Sequence, residues 1–408
     1  MYQMQKTAYS AGLRSVANGL NVHGDKGSVT TADDGLAEGC ALIEKGDFDG
    51  ARKIFSKLAR KNIPEAQFNL ALMYQDGKGV SRSFKKAAKW YAKAAEADMA
   101  EALLNLGCLY IKGEGVEESE TKAFSFIQKA ADSGYARAQI QLGLMYEFGC
   151  GTEQSYEKAF SWYSSAAQQD APEALTALSR MYAAGNGVKK SETKAVTLLE
   201  KASGMGYGEA QELLGTLYYY GEGVPESPAK AAELFLQAAG QNYPSAMFNL
   251  GTMYSEGIGV PQSDDEAFRW YSKASDLGHS EAQFNLGIAY DFGVGCGRDL
   301  KMAEKWYSMS AAQGNSDALC NLGDMYENGR GVEKNFTKAF VLYTASAALG
   351  NDLAECSIGD MYRKGEGVPQ SDEEAEKWYR MSAEKGCREA VDELRKMGKD
   401  VSDYETAE

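Results

Sequence analysis

Apolar and small residues recur along this chain at helical spacing, inside a unit that itself recurs every 36 residues. In the stretch from Ala66 to Val80, the residues Ala66, Leu70, Met73 and Tyr74 are spaced to share one face of a helix. A shift of 36 residues brings Ala102, Leu106, Tyr110, Gly113, Gly115 and Val116 into register. The alanine returns through Ala390, the tyrosine nine times from Tyr74 to Tyr362, and the G-x-G pair from Gly77 and Gly79 to Gly365 and Gly367. A fixed period of this length predicts one supersecondary unit stacked many times, a solenoid and not a globular domain.

Each unit predicts two helices. Helix A runs over about residues 64–76 in the first full copy. Pro64, Pro172 and Pro244 share the position at its start, where a missing N–H costs nothing. The residue after the core leucine is glycine in most copies (Gly107, Gly143, Gly215, Gly251, Gly287, Gly323, Gly359), which predicts close backbone packing against helix B. Gly77 ends helix A. Helix B opens at Ser83, Ser119, Ser155, Ser191, Ser227, Ser263, Asp299, Asn335 and Ser371, all good N-cap types. Ala87 and its equivalents never vary, and Trp90-Tyr91, Trp162-Tyr163, Trp270-Tyr271, Trp306-Tyr307 and Trp378-Tyr379 supply large apolar surface. Glycines such as Gly134, Gly206 and Gly278 close helix B.

The expected organisation is an N-terminal disordered tail (1–33), a solenoid (34–397) and an acidic tail (398–408). The solenoid comprises a shortened first repeat (34–65), nine full repeats (66–389) and a capping helix (389–397).

The pattern A-x-x-x-L-G-x-x-Y-x-x-G-x-G-V, followed by A-x-x-W-Y-x-x-A-A-x-x-G, resembles the Sel1-like repeat family, a relative of the tetratricopeptide repeats. Residues 246–278 and 282–314 carry it most fully, while Ser179, Leu198-Leu199, Leu234-Phe235 and Cys296 depart from it. The resemblance implies an all-α right-handed superhelix of antiparallel helix pairs, with helix A lining a concave groove.

Net charge is −15, from 43 Lys plus Arg and 58 Asp plus Glu. This balance opposes attraction to phosphate backbones or anionic lipid, so no nucleic acid partner is expected. The seven cysteines occupy scattered places in the repeat. Cys320 and Cys356 share one place in adjacent copies, about 8–10 Å apart on neighbouring helices, which is long for a disulfide. A reducing, cytoplasmic compartment is therefore expected. No segment is apolar enough to insert in a bilayer. Residues 1–33, poor in acids and carrying Lys6 and Arg14, offer organelle targeting as an alternative reading.

Candidate chemistry is sparse. Ser83 to Lys86 matches S-x-x-K, the nucleophile signature of serine β-lactamases, and so do the four following copies. Five copies in one register at an N-cap, with no S-D-N or K-T-G companions, point to capping. Only His23 and His279 exist, and no metal-ligand spacing or phosphate loop appears, so neither cofactor nor metal is expected. Cysteine-rich relatives linked to β-lactam binding keep an enzyme as an alternative, and a spacer or self-associating solenoid is another.

By the same resemblance, a partner would meet the off-stripe residues of helix A. Asn69, Asn105, Asn249, Asn285 and Asn321 form a ladder that would bond either a peptide backbone or, the preferred reading, the neighbouring repeat. Phe148, Tyr219, Tyr220, Phe248, Phe284 and Phe292 fall on that wall as either interface anchors or packing residues, with Arg180 placed to pair an acidic group. The expected function is a non-catalytic scaffold holding a peptide or helix of a protein partner, with a homodimer as a further option.

Overall fold

A computed structural model describes residues 31–404; the expected N-terminal targeting or tail residues 1–30 and the last four residues lie outside them. The described residues fold into helices alone, apart from loops and turns, and the chain divides into two compact units at residue 210.

The first unit begins with a short hairpin, Thr31–Glu44 and Phe48–Ala59, so the first helix starts within the segment expected as tail. Four A/B pairs follow: Pro64–Asp76 with Phe84–Ala95, Ala100–Lys112 with Glu120–Asp132, Ala136–Phe148 with Tyr156–Ala167, and Pro172–Ala184 with Glu192–Gly204. Helix Gly208–Tyr220 crosses the division. In the second unit, Pro228–Ala239 precedes the pairs Pro244–Glu256/Asp264–Asp276, Ser280–Phe292/Leu300–Ala311, Ser316–Asn328/Phe336–Ala348 and Asp352–Lys364/Asp372–Glu384. Within each unit, every A helix packs on its own B helix, and B packs on the next A.

The core follows from the repeat. Ala66, Leu70 and Met73 are buried, and the alanines at the Ala87 position are at most 4 % exposed. The tyrosines of the Trp-Tyr pairs are buried, whereas Trp90, Trp162, Trp270 and Trp378 are only half-buried. The glycine after the core leucine faces the helix B residue at that tyrosine position, which is Ile127 for Gly107 and Phe235 for Gly215. A Cβ on Gly287 would lie 2.5 Å from Tyr307 Cδ1, closer than carbon atoms pack. In the repeat where serine replaces this glycine (Ser179), helix B offers the smaller Leu199 in place of tyrosine. The second glycine of G-x-G meets the preceding repeat: a Cβ on Gly151 would lie 2.2 Å from the Glu120 carbonyl oxygen, at positive φ. Where glycine is absent at the end of helix B, Asn62, Asp98, Asp170 and Asn242 take the left-handed conformation that these residue types tolerate.

Neighbouring repeats are joined by a polar–apolar alternation of double period. Gln139, Gln211, Gln283 and Glu355 are buried and meet Gln169, Gln241, Gln313 and Lys385 at 2.9, 2.8, 2.8 and 2.6 Å. Leu103, Leu175 and Met247 hold the same place in the intervening repeats and are buried.

At the C-terminus, Arg388–Lys396 covers the last repeat with Ala390 and Leu394 fully buried. The chain beyond it does not leave as a free acidic tail, as far as residue 404. Val401 is buried with Tyr379 and Leu394, Tyr404 packs on that cluster, and Lys399 meets Glu376 at 2.5 Å. One aliphatic and one aromatic side chain in an otherwise polar stretch are enough to dock it.

Candidate partner-binding surface

The S-x-x-K motif is accounted for by local structure. Ser83, Ser119, Ser155 and Ser191 accept the backbone N–H of Lys86, Lys122, Lys158 and Lys194 at 3.3–3.4 Å, as N-caps do. Each lysine ammonium then lies over the ring of a helix A tyrosine (Tyr74, Tyr110, Tyr146, Tyr182) at 5.0–5.5 Å. The fifth copy departs: Ser227 makes no capping bond, and Lys230 Nζ reaches the Tyr218 hydroxyl at 2.6 Å. In the first four copies the serine and the lysine thus diverge to different duties.

The remaining reactive side chains are also occupied. All seven cysteines are free thiols, and burial pushes Cys108 up to about 11 and Cys320 up to about 12, which keeps them protonated at neutral pH. His279 stacks on Phe248 at 4.8 Å, and its Nδ1 accepts the Ala282 N–H at 3.2 Å, capping helix Ser280–Phe292. Burial lowers its pKa, against a smaller opposing effect of Glu281. No cluster of three metal-ligating side chains occurs among the described residues.

In the first unit, Phe148 is half-buried and packs on the hydrophobic core. Arg180 is ion-paired with Glu209 of the next A helix. That pair belongs to a chain in which Tyr163 donates to Glu147 at 2.7 Å and Tyr207 donates to Glu209 at 2.8 Å. Arg180 therefore already has acidic partners within the protein.

In the second unit the sequence-predicted aromatics separate into two kinds. Phe248 and Phe284 are half-buried and tilt onto Tyr271 and Tyr307, the tyrosines of their own helix B, at 5.9 Å in both cases. Tyr220 and Phe292, at the ends of their A helices, are 65 % and 67 % exposed. The half-buried Tyr219 meets Tyr220 edge-on at 4.9 Å, and its hydroxyl donates to Glu256 at 3.4 Å.

Three members of the asparagine ladder stand beside the preceding helix B. Asn105, Asn285 and Asn321 stand close enough to the hydroxyls of Tyr91, Tyr271 and Tyr307 on the preceding helix B to oppose the rise that burial gives their pKa values, and Asn69 donates to the Glu65 carbonyl within its own helix at 2.9 Å. Before Asn249, the equivalent helix B residue is Phe235, which has no hydroxyl to offer.

Sequence reasoning missed the charge partition. Residues 1–210 hold 25 basic and 25 acidic residues, whereas residues 211–408 hold 18 basic and 33 acidic, so the second unit carries the entire net charge. Counting by half-chain would have revealed it. None of the helices among the described residues is long and apolar enough to cross a membrane.

Comparison with known proteins matches the chain to the Sel1 repeat model at nine consecutive segments: residues 64–99, 100–135, 136–170, 172–207, 208–243, 244–279, 280–315, 316–351 and 352–387. Among solved structures it is similar to c5321, a protective antigen of uropathogenic Escherichia coli strains with an SLR fold. The identity is 29 %, the TM-score 0.66, and the match covers 97 % of this chain and 82 % of that one. A Sel1 repeat protein from Oxalobacter formigenes is similar at 26 % identity and a TM-score of 0.55, covering 80 % of this chain and 93 % of that one. A search of the curated proteins returned no match.

Proposed function

The chain belongs to the Sel1 repeat family, and from that premise we propose that it is a non-catalytic scaffold that binds a peptide or helix of a protein partner along its A helices. Sel1 repeats commonly serve as protein-interaction scaffolds. The observation that carries the reading is the exposure of Tyr220 and Phe292, on helices where Tyr218 is buried and Phe284 and Tyr290 pack against rings of helix B. Large aromatic side chains left mostly exposed are the usual anchors of an interface. The S-x-x-K contacts support a structural role for that motif, since its serine and lysine are turned to a cap and a ring.

The test is affinity capture with quantitative mass spectrometry, comparing the unaltered protein with a Tyr220→Ser, Phe292→Ser variant. Both substitutions fall on exposed positions, so helicity by circular dichroism stays unchanged. Loss of a specific protein partner from the variant is expected. An unchanged partner set removes the reading, and recovery of only a second copy of this chain replaces it with self-association.

A further inference from the structure

Tyr220, Glu256 and Phe292 hold one register position on three successive A helices, at the last residue of each. All three are exposed, so these helix ends present an aromatic–carboxylate–aromatic row. Ile258 and Val294, in the loops that follow, add exposed apolar surface at 37 % and 42 %. From this row we infer that the second unit binds a basic segment of its protein partner, with a lysine or arginine seated against Glu256 and apolar side chains against Tyr220 and Phe292. The inference rests on the scaffold reading and names the chemistry of the partner.

Charge decides the occupant. Between residues 211 and 268 there are eight acidic residues and one basic residue, Lys230. That lysine is already committed, with its ammonium 3.9 Å from the centre of the Tyr218 ring and 2.6 Å from the hydroxyl. Among the described residues, Glu222, Glu226 and Glu256 meet no lysine or arginine in an ion pair. The field at the Tyr219/Tyr220 pair is correspondingly negative: burial first, then Glu256, Tyr220 and Glu226, raise the Tyr219 pKa. An acidic or phosphorylated segment would be repelled here, and a wholly apolar one would cover the Glu256 carboxylate without bringing it a cation. A cationic side chain gains the carboxylate and, beside it, the face of an exposed tyrosine ring. Specificity comes from the spacing, because the cation must sit between two aromatic anchors.

The probe is a fluorescein-labelled peptide of repeating leucine, arginine and serine, with a control peptide in which citrulline replaces arginine. Binding is followed by fluorescence anisotropy. The arginine peptide is expected to bind the full chain and the citrulline peptide to bind on the order of tenfold more weakly. Glu256→Gln, which keeps an acceptor for the Tyr219 hydroxyl, and Tyr220→Ala with Phe292→Ala should each weaken the arginine peptide by roughly tenfold. Glu384→Gln, an equal change of charge at another exposed site of the unit, should leave it unchanged. Failure of the peptide to bind, equal weakening by Glu256→Gln and Glu384→Gln, or equal binding of the citrulline peptide overturns the inference. A captured partner that is lost on Tyr220→Ser, Phe292→Ser and retained on Glu256→Gln also overturns it, while leaving the scaffold reading intact.

Discussion

Gly287 and Tyr307 illustrate how far single residues set this architecture. The glycine lets helix Ser280–Phe292 approach the tyrosine ring within a distance that no Cβ tolerates. Gly287→Leu should destabilise the second unit by about 1–3 kcal/mol through overpacking. Tyr307→Leu in the same chain should recover part of that loss, as the Ser179–Leu199 pair suggests. Denaturant midpoints of the two single variants and the double variant check this, and strict additivity would contradict the contact. His279 offers a second residue-scale outcome. Its neutral imidazole is the capping form, and burial lowers its pKa, so the unfolded chain binds the proton more readily. The stabilisation is complete above the ordinary histidine pKa of 6.5 and is lost as pH falls through the lowered value. Asparagine caps the next two A helices, with Asn315 and Asn351 accepting from Ala318 and Ala354 at 2.8 and 2.9 Å. His279→Asn should therefore keep the cap and remove this part of the pH dependence, measured by thermal unfolding across that range. A variant as pH-sensitive as the parent would assign the dependence elsewhere.

At the scale of the element, the signals that were legible in the sequence are those whose cause lies within one repeat. N-caps, the prolines at Pro64, Pro172 and Pro244 and the left-handed Gly77 stand where spacing places them, with Ser227 the exception. Contacts made through packing were not legible. Phe284 and Phe292 lie eight residues apart on one helix and look equivalent in the sequence, yet one tilts onto Tyr307 and the other is exposed. Arg180 reads as a free cation until the fold brings Glu209 to it. The S-x-x-K lysines gain a duty only when helix B lies beside a helix A tyrosine. Ser155→Ala should cost about 1 kcal/mol as a lost cap, and Lys158→Gln a few tenths to about 1 kcal/mol as a lost cation–ring contact. Neither should alter the rate of nitrocefin loss, which should match buffer alone; hydrolysis abolished by Ser155→Ala would restore the catalytic reading.

For the whole molecule, the repeat supplies a uniform frame, and departures from it mark the candidate surface. The second unit concentrates the acidic charge and presents the exposed Tyr220 and Phe292, whereas the first is neutral overall. A scaffold built from near-identical units would recognise one partner through residues that differ between repeats, as Tyr220, Glu256 and Phe292 do. In the proposed function the partner lies against the A-helix ends. The most direct measurement is photo-cross-linking with benzoylphenylalanine placed at Tyr220, at Phe292 and, as a control on an exposed helix B position, at Val341. One partner segment should cross-link from positions 220 and 292 and none from 341. Cross-linking from 341 alone would place the partner on the B helices and rule out binding at the A-helix ends.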